Sequence, residues 1–388
     1  MKKKKILMVH NYYQIGGGEH TVFENEVKML RENGHEVITY TRHNDELKTS
    51  KIKLLLLPFT TLLSFKSYFE VRKIIKKEKI DIVHCHNTFP LISPSVYYAA
   101  RSLKTPVVQT IHNFRFLCPN GTFYCNGQIC EKCKDQNNFK NAIKNKCYRN
   151  SKLQTLIVVL MLKLHRMLGT YKKISYIFLT EFNKSKFEKL IDINSQNVFV
   201  KPNFVQKIEV QNPEPCDKIK FVFAGRLEEN KGVKFLLDAW KIMPSDYFLH
   251  IYGDGSLKTE VEQAAKKHSN IVYLGFKPQK EIFEDLSTAK ALLFPSNWYE
   301  GFPMIIAESF SIGIPVISTD IGNQKDLIES SKGGGVFSLN DKNSFKKAIE
   351  NIIVNNGYYS KNSKKYYYKY LTDAYNYEIL YKIYENVS

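Results

Sequence analysis

The chain has 388 residues, of which 43% are hydrophobic, and this length exceeds what one ordinary core supports, so two α/β domains are expected. The formal net charge is +19, and residues 1–200 carry 33 basic against 15 acidic side chains. A field of this sign attracts an anionic membrane surface or a pyrophosphate-linked ligand, whereas the aromatic signature of nucleic-acid-binding modules is missing, so no nucleic-acid partner is expected. The alternative is a lysine-rich surface that binds no partner. A general bias towards lysine, however, should give both halves of the chain an excess of basic residues.

The ends of the chain and its apolar runs bear on location. Met1–Lys5 is basic, but the apolar run that follows it, Ile6–Val9, is too short for a signal peptide. The longest apolar run, Leu156–Leu162, falls far short of the roughly 20 residues that span a bilayer. We therefore predict a cytoplasmic protein that is at most peripheral at the inner face of the cell membrane. The segment Leu153–Leu168 has two interpretations, an interfacial helix that presents apolar surface to lipid and an ordinary buried helix.

Apolar, β-branched runs alternate with helix-length segments throughout, which predicts parallel sheets covered by helices on both faces. A first domain, 1–202, is followed by a linker rich in proline and polar residues, 203–217, by a second domain, 218–365, and by a tyrosine-rich C-terminal helix, 366–388. The expected strands are Lys5–His10, Glu36–Thr41, Ile82–His86, Val107–His112, Tyr176–Thr180, Val198–Lys201, Ile219–Ala224, Phe248–Tyr252, Ile271–Leu274, Ala291–Pro295 and Val316–Thr319.

Candidate site residues of the first domain follow strands, because ligands of open α/β sheets bind beyond the carboxyl ends of the strands. Gly16-Gly17-Gly18 lies between the first strand and a helix, which suits a phosphate, although the full G-x-G-x-x-G spacing is missing. His112 closes the fourth strand, so its imidazole is expected at the sheet edge, with a buried core histidine as the alternative. His84 and His86 share one face of a strand, and we favour a structural role for both.

The second domain offers two cations at the turn after its first strand. Arg226 and Lys231 suit a diphosphate, and Gly225 lets the backbone come close to a ligand. A surface arginine and lysine in a turn are the alternative. Gly253 follows the next strand, in the sequence Gly253-Asp254-Gly255. Because cations and helix N-termini can neutralise a diphosphate, we expect that no metal and no cofactor is required.

Two glutamates eight positions apart are the most informative feature. Glu300 follows a buried strand, Pro303 suits the first turn of the next helix, and Glu308 lies about two turns further on. Carboxylates accept hydrogen bonds from sugar or ribose hydroxyls, and a helix N-terminus attracts phosphate. The combination suits a nucleotide-sugar donor. The backbone N–H groups expected near its phosphate or sugar are those of Gly301, Phe302, Met304 and Ile305.

Five cysteines are concentrated between residues 118 and 147. Only one C-x-x-C spacing is present, so a zinc site would need a second pair at unusual spacing, and disulfides are disfavoured in a reducing cytoplasm. Free thiols with packing roles, a structural zinc, and a disulfide or redox role all stay open. The cysteines are Cys118, Cys125, Cys130, Cys133 and Cys147.

Taken in chain order, these motifs resemble those of the glycosyl transferases group 1 family, and the resemblance covers nearly the whole chain. It implies the GT-B architecture, an α/β fold of two facing Rossmann-like domains with a central cleft, and a Glu-x7-Glu motif typical of retaining enzymes. The motifs are Gly16-Gly17-Gly18-Glu19, His84-Cys85-His86, His112, Gly225-Arg226-Leu227 with Lys231-Gly232, Gly253-Asp254-Gly255, Glu300 with Glu308, and Pro315-Val316-Ile317.

The resemblance implies roles for these positions. Arg226 and Lys231 would bind the donor diphosphate, His112 would touch the donor sugar, and the glycine loop would face the diphosphate and the acceptor entrance. We assign Glu300 to the donor sugar and Glu308 to the ribose hydroxyls. The family's last helix crosses back to the first domain. Similar cysteine-bearing segments occur in some polysaccharide glycosyltransferases, which points to an acceptor-side loop.

The chain departs from the family at two positions. Where many relatives carry a Gly-Gly pair after the strand Val316–Thr319, this chain has Gly322-Asn323, and Asp326 stands where a glutamate is frequent. Neither change removes a catalytic group, but the selectivity for the donor could shift.

We therefore predict a retaining glycosyltransferase that moves a sugar from a nucleotide-sugar onto a lipid-linked or oligosaccharide acceptor of a bacterial surface glycan, such as capsule or lipopolysaccharide. Two rivals stay open, a nucleotide-sugar epimerase on the same scaffold and a non-catalytic, membrane-associated subunit. Intact Arg226, Lys231, Glu300 and Glu308 argue against the subunit, and an epimerase of this fold would need further acid–base carboxylates.

Overall fold

A computed structural model describes residues 2–14, 16–48, 51–135, 138–210 and 218–388. The chain divides into two compact units. The N-terminal unit runs to Cys125, resumes over Cys130–Asn203 and includes the C-terminal residues Asn376–Ser388. The C-terminal unit comprises Phe204–Tyr375 together with the short stretch Asn126–Ile129. Of the predicted linker, 204–210 thus belongs to the C-terminal unit, and 211–217 lies outside the described residues.

The N-terminal unit is built on a six-stranded parallel sheet of order β2-β1-β3-β4-β7-β8. Its strands are β1 Lys5–Tyr12, β2 Glu36–His43, β3 Ile82–Asn87, β4 Val107–Ile111, β5 Tyr124–Cys125, β7 Ser175–Phe178 and β8 Val198–Val200; the short strand β6, Gln128–Ile129, lies in the stretch assigned to the C-terminal unit. The helices are α1 Gly18–Glu32, α2 Lys51–Leu62, α3 Phe65–Glu78, α4 Ser95–Arg101, α5 Lys132–Asp135, α6 Lys140–Lys144, α7 Lys152–Met167 and α8 Glu181–Ser185.

The C-terminal unit has a second six-stranded parallel sheet, of order β11-β10-β9-β12-β13-β14. Its strands are β9 Ile219–Ala224, β10 Tyr247–Tyr252, β11 Ile271–Gly275, β12 Ala291–Phe294, β13 Val316–Thr319 and β14 Gly334–Phe337. Its helices are α9 Val233–Trp240, α10 Lys258–Lys267, α11 Gln279–Leu286, α12 Met304–Ser311, α13 Gly322–Ser331, α14 Lys342–Val354 and α15 Asn356–Tyr370; a last helix, α16 Asp373–Val387, lies mostly in the N-terminal unit.

Strand β9 shows why the apolar runs predicted sheets covered on both sides. Phe221 and Phe223 pack into a core with Trp240 on one face of the sheet, while Val222 and Ala224 pack on the other face. Successive side chains of a strand point to opposite faces, so a continuous apolar run fills two cores. The eleven predicted strands are all present, with ends that differ by at most two residues.

Strand β14 was not predicted, because its glycine-rich sequence lacks an apolar, β-branched run. The reason for the glycine is steric. A Cβ atom on Gly334 would lie 1.8 Å from the carbonyl oxygen of Val316 on the neighbouring strand. The edge strand β14 therefore packs against β13 through a backbone contact that only glycine allows. The hydrophobic pattern of the sequence does not reveal such a contact.

Among the described helices, none is by itself long and apolar enough to cross a bilayer. Leu54–Leu62 of α2 and Phe65–Glu78 of α3 reach the necessary length and apolarity only as a pair, and the two segments are bent by 58°.

Candidate active site

The strand order of the C-terminal unit defines where a ligand would bind. From β9 the chain moves outward through β10 and β11 on one side and returns to β12 on the other side. In open parallel sheets this reversal creates a crevice at the carboxyl ends of the two central strands. The loops that follow β9 and β12 carry Arg226, Lys231 and Glu300, so these predicted residues lie at the reversal point.

Lys231 and Glu300 form an ion pair across this point. The Lys231 Nζ atom lies 2.6 Å from Glu300 Oε1, although the two residues are 69 positions apart in the chain. The ammonium also lies 5.2 Å from the centre of the Trp298 ring, within the range of a cation–π contact. Sequence reasoning assigned the two side chains to different parts of a donor, whereas the structure brings them into one contact.

Three donors converge on a single oxygen of Glu300. Besides Lys231, the Ser296 hydroxyl donates to Oε1 over 2.7 Å and the Trp298 indole N–H over 2.6 Å. Ionised carboxylates accept several hydrogen bonds, and bonds with a charged partner are the strongest. Glu300 Oε2 has no partner among the described residues, so the carboxylate is fixed at one oxygen and open at the other.

Two buried amide side chains hold the Glu300 loop in place by donating hydrogen bonds to its carbonyl groups. Asn323 donates through Nδ2 to the carbonyl of Gly301 over 2.8 Å and to the carbonyl of Glu300. Gln324 donates through Nε2 to the carbonyl of Trp298 over 3.2 Å. Both amides are fully buried. Sequence reasoning noted Asn323 only as a departure from a glycine pair; the structure shows that this departure supplies the donor that holds the loop.

Glycines let the neighbouring loops touch through their backbones. Gly253 has a φ of +135°, and a Cβ atom on it would lie 1.9 Å from the carbonyl oxygen of Gly225. Gly232 has a φ of +73°, and its Cβ would lie 1.9 Å from the carbonyl oxygen of Pro295. At Gly225 the nearest atom to a Cβ, in the Phe223 ring, is at an ordinary 3.7 Å. Loop packing thus explains Gly253 and Gly232, and Gly225 is the position that leaves space.

The remaining predicted residues of this unit lie around the start of α12. Met304 and Ile305 are its first two residues, and their N–H groups belong to the helix end that has no intrahelical acceptors. Gly301 and Phe302 precede it and are partly exposed. Arg226 is exposed and forms no ion pair with a described residue.

Glu308 follows Met304 by four positions and so lies on the same helical face. Its Oε1 atom accepts a hydrogen bond of 2.8 Å from the Gln279 amide. Burial raises the pKa of the Glu308 carboxyl to about 7, against the smaller, opposite effect of that hydrogen bond. A carboxyl that titrates near neutral pH fits a site where a ligand, rather than water, completes its hydrogen bonding.

In the N-terminal unit, His112 is the last member of a buried chain of polar groups. Its Nε2 atom lies 2.9 Å from Nδ1 of His86, and Nε2 of His86 lies 3.2 Å from Oε1 of Glu26. The other Glu26 oxygen accepts from the Lys201 ammonium over 2.8 Å. Glu26, His86 and Lys201 are all buried. Glu26 comes from the core-facing stripe of α1, which otherwise consists of apolar side chains such as Val22 and Leu30.

The charges along this row of hydrogen-bonded side chains determine which groups donate. Burial would raise the pKa of the Glu26 carboxyl, but Lys201 and the neighbouring histidines outweigh that and hold it well below its ordinary value. Burial, with His86 and His10 nearby, keeps the pKa of His112 well below its ordinary value, so His112 is neutral. Since a carboxylate only accepts, Nε2 of His86 donates to Glu26, and Nδ1 of His86 faces Nε2 of His112. Nδ1 of His112 has no hydrogen-bond partner among the described residues.

Glu26, His84 and His86 also place ligand-type atoms within 4.8 Å of one another. These atoms are already engaged, since Nδ1 of His84 contacts the Tyr384 hydroxyl at 2.7 Å and Nε2 contacts Thr110 at 2.8 Å. A metal ion bound to Glu26 would also be repelled by the Lys201 ammonium, which binds the same carboxylate. The group is therefore a hydrogen-bond network, and His84 has the structural role that its position on the strand predicted.

The glycine loop leaves open space at the start of α1. Gly17 precedes the helix in an extended conformation, and no atom lies within 4 Å of the position that a Cβ would occupy. Glu19, in the first turn, accepts a 3.4 Å hydrogen bond from Asn113, the neighbour of His112. Burial raises the pKa of the Glu19 carboxyl to about 8. The sequence indicated Glu19 only as the last residue of the glycine motif. The structure places it beside Asn113, which follows His112.

The cysteine-rich segment gathers no metal-type cluster in the part of the chain that the structure describes. Cys125 and Cys147 place their sulfurs 3.7 Å apart, as thiols, and the other cysteines of the segment are likewise reduced. Burial raises the pKa of the Cys133 thiol to about 12 and raises that of Cys147 as well. Neutral thiols of this kind are poor metal ligands and poor nucleophiles.

Comparisons with known proteins agree on one class of enzyme. Residues 204–370 match the family model "Glycosyl transferases group 1", and residues 15–158 match "Glycosyltransferase Family 4". Fold and family together define a glycosyltransferase built from two Rossmann-like domains. More particularly, the C-terminal unit matches the glycosyl transferases group 1 family over nearly its whole length, and the N-terminal unit matches Glycosyltransferase Family 4. The family and the α/β fold of two Rossmann-like domains predicted from the sequence are confirmed.

Relatives and solved structures agree with this assignment. The chain is 33% identical over 154 residues to the lipopolysaccharide 1,6-galactosyltransferase of Escherichia coli K12, covering 37% of this chain and 42% of that protein. It is 25% identical over 328 residues to an Escherichia coli UDP-Gal:alpha-D-GlcNAc-diphosphoundecaprenol alpha-1,3-galactosyltransferase, covering 80% and 76%. These names support the lipopolysaccharide and capsule class of glycosyltransferase.

Among solved structures, the outer core galactosyltransferase WaaB in its apo form superposes with a TM-score of 0.66, at 18% identity and 98% coverage of each chain. Anabaena HepE in complex with UDP-glucose superposes with a TM-score of 0.65, at 13% identity, over 98% of this chain and 100% of that one. At such identities the likeness concerns the fold.

Proposed function

We propose that the protein is a retaining glycosyltransferase that transfers a hexose from a UDP-sugar to a lipid-linked acceptor of a bacterial surface glycan. The observation that carries the proposal is the convergence of Lys231, Glu300 and the α12 N-terminus at the reversal point of the C-terminal sheet. The choice of UDP is supported by the relative whose name includes UDP-Gal and by the similar fold that was solved with UDP-glucose.

The proposed donor site separates the charges that bond breaking creates. When the anomeric C–O bond breaks, the diphosphate becomes more negative and the sugar becomes oxocarbenium-like. Arg226 and the free N–H donors of Lys231 neutralise the diphosphate, assisted by the N–H groups of Phe302, Met304 and Ile305. The open Oε2 of Glu300 accepts from the sugar hydroxyls, and Glu308 accepts from the ribose hydroxyls.

Retention, as the family resemblance implies, requires attack from the face that the diphosphate leaves. The acceptor hydroxyl adds to the anomeric carbon as the bond to the diphosphate breaks, and the departing phosphate oxygen takes the hydroxyl proton. The Nδ1 atom of His112, which has no hydrogen-bond partner among the described residues, suits a hydroxyl of the donor sugar. The glycine loop, Gly16 to Gly18, suits the diphosphate and the entrance of the acceptor. Since cations supply the neutralising charge, transfer is proposed to proceed without a metal or cofactor.

The acceptor is proposed to be a diphospholipid-linked or free oligosaccharide. The excess of basic residues in the N-terminal half supports an acceptor that carries a pyrophosphate and lies at an anionic membrane surface. The relative that acts on a diphosphoundecaprenol substrate supports the same choice. Peripheral association with the inner face of the cell membrane belongs to this proposal.

The test is thermal stability of the purified protein with UDP-, GDP-, ADP- and dTDP-sugars. A ligand at about 100 times its dissociation constant stabilises the folded state by about 2.7 kcal/mol, which raises Tm by a few degrees. We expect the shift with a UDP-hexose, and incubation with a short pyrophosphate-linked acceptor should then give a product whose new linkage keeps the donor's anomeric configuration. A folded protein that no nucleotide-sugar stabilises would contradict the proposal, and a free epimerised UDP-sugar without acceptor would replace it.

A further inference from the structure

Large hydrophobic side chains are exposed mainly in two segments of the N-terminal unit. Of the eighteen such side chains in the described part of the chain, eight lie between residues 52 and 69, in α2, α3 and the turn that joins them, and five lie between 153 and 168. Isolated exposed hydrophobics need no explanation, but contiguous ones mark binding surfaces.

Helix α2 presents an apolar stripe to solvent. Ile52, Leu55, Leu56 and Phe59 follow the spacing i, i+3, i+4, i+7, which places them on one helical face. In a globular protein such a stripe normally faces the core. Here Ile52, Leu55 and Phe59 are 71%, 76% and 73% exposed, whereas Thr61 on the opposite side is buried. The helix therefore has the pattern of a buried surface, but it has no partner among the described residues.

Helix α3 has one exposed face that carries aromatic side chains near its N-terminus and lysines towards its C-terminus. Phe65 and Phe69 are four positions apart and exposed, and Lys73 and Lys76 continue the same face towards the C-terminus. The opposite face packs into the unit through residues such as Val71. At 1.5 Å per residue, Lys76 lies about 10 Å along the axis from Phe69. The face thus changes from apolar to cationic over roughly the depth of a bilayer interface.

Charge and a neighbouring groove extend this surface. Residues 51–79 contain eight lysines and arginines against two glutamates. Helix α7, which packs beside α2, exposes Leu153, Leu156 and Leu160. An apolar cavity of about 290 Å³ opens between the two helices, lined by side chains that include Leu54, Leu57, Leu153 and Ile157. A groove of this kind fits an acyl chain.

We propose that α2 and α3, with the adjoining face of α7, form the surface by which the protein docks on an anionic lipid bilayer. Apolar side chains enter the interface, and the lysines of α3 contact acidic headgroups. A hydrophobic stripe bordered by one sign of charge matches an anionic membrane, whereas the core of a protein interface is depleted of charge. From the sequence, an interfacial helix is one of two interpretations of Leu153–Leu168; in the structure the most exposed apolar side chains lie on α2.

This inference deepens the membrane part of the proposed function, and its test requires neither donor nor acceptor. Vesicles of phosphatidylcholine and phosphatidylglycerol in equal parts are floated with the protein, and pure phosphatidylcholine vesicles serve as comparison. The Leu55→Glu/Phe59→Glu variant should bind the anionic vesicles about tenfold or more weakly, because two apolar contacts are replaced by charges that the headgroups repel. Phe276→Glu, an exposed phenylalanine of the C-terminal unit, is the matched control and should bind as the unaltered protein does.

A second variant separates charge from apolar contact. Lys73→Glu/Lys76→Glu should weaken binding to anionic vesicles, and added salt should weaken binding of the unaltered protein, since exposed charges are screened. Unchanged melting temperatures for all variants would show that the losses are not unfolding.

Two results would overturn the proposal. The first is a folded protein that floats with neither kind of vesicle, above all if it is a dimer that Leu55→Glu/Phe59→Glu dissociates, because a second copy would then cover the stripe. The second is a Leu55→Glu/Phe59→Glu variant that floats as well as the unaltered protein. Nucleotide-sugar stabilisation, measured on the same samples, reports on the donor site independently of either result.

Discussion

The two units each contain a lysine–glutamate pair, and the pairs differ in almost every physical respect. Lys201 and Glu26 are 2.8 Å apart with side chains 1% and 0% exposed, held between β8 and α1. Lys231 and Glu300 are 2.6 Å apart with side chains 17% and 11% exposed, held between two loops. A fully buried pair costs desolvation that only its partner offsets, whereas the loop pair keeps part of its surface in contact with water, which lowers the cost of rearranging it.

The difference separates a structural role from a functional one. The buried pair joins helix, sheet and C-terminus, because Lys201 also donates to Asn376 of α16 over 2.9 Å. It can therefore fix the positions of His86 and His112 but cannot meet a ligand. The loop pair can exchange its partner for a diphosphate without disturbing a core.

Lys201→Met should destabilise the N-terminal unit by about 3–5 kcal/mol, because it leaves the Glu26 carboxylate buried without its cation. Hydrogen exchange of the α1 and β8 amides measures this locally, which suits a two-unit chain better than a single melting curve. Glu26→Gln/Lys201→Met should recover part of the loss, since the buried charge is gone. Equal protection in Lys201→Met and the unaltered protein would remove the distinction between the two pairs.

Lys231→Met should lower kcat by about 10²–10³-fold, the size of effect seen when one donor to a developing negative charge is lost. The free energy of unfolding should fall by less than in Lys201→Met, because Ser296 and Trp298 still donate to the Glu300 carboxylate. Lys241→Met, which removes an exposed lysine paired with Asp238 at 3.2 Å, is the matched control for a lost surface cation. A large stability loss with retained activity would reverse the roles assigned to the pairs.

Asn323→Ala should cost about 1–3 kcal/mol, because the carbonyls of Glu300 and Gly301 lose a buried donor. The donor KM should rise as the Glu300 loop loosens. Asn343→Ala, at an exposed position of α14, should change neither quantity. Urea denaturation followed by the fluorescence of Trp240 and Trp298, the two tryptophans of the chain, reports on this unit specifically. An unaltered KM in the folded variant would show that Asn323 does not position the loop.

The affinity for a UDP-sugar should depend on pH through Glu308, whose pKa burial raises to about 7. The ionised carboxylate is the stronger acceptor for ribose hydroxyls, so binding should tighten as pH rises through about 7 and weaken by at most about tenfold per unit below it. Glu308→Gln should bind more weakly and flatten this dependence. An unchanged pH profile in Glu308→Gln would assign the titration to another group.

The sequence was most informative where one element determines the outcome. Apolar runs such as Ala291–Phe294 predicted strands, and the residues that follow them were correctly expected at the carboxyl ends of the sheet. Contacts that need two distant elements were not predictable, because periodicity reports the face of an element and not its partner. The approach of Lys231 to Glu300 depends on the order of β9 and β12 in the sheet.

Other features carried misleading or no local signals. Glu26 sits in an apolar helical stripe, where its partner Lys201 is 175 positions away. Gly334 belongs to a strand because the backbone of Val316 leaves no room for a side chain. The stripe of α2 has the pattern of a core helix, and only its exposure in the folded chain distinguishes it from one.

The most direct test is calorimetric titration of a UDP-hexose into the unaltered protein, Glu308→Ala and Glu350→Ala. Glu350 lies exposed on α14, and its ion pair with a described residue is a 4.0 Å contact with Lys346, so it controls for loss of a surface carboxylate. We predict one site, weakened about tenfold or more in Glu308→Ala and unchanged in Glu350→Ala, since a lost hydrogen bond to a charged group costs about 1.5–3 kcal/mol. Equal affinity in all three proteins would contradict the placement of the nucleotide at the β9–β12 reversal point.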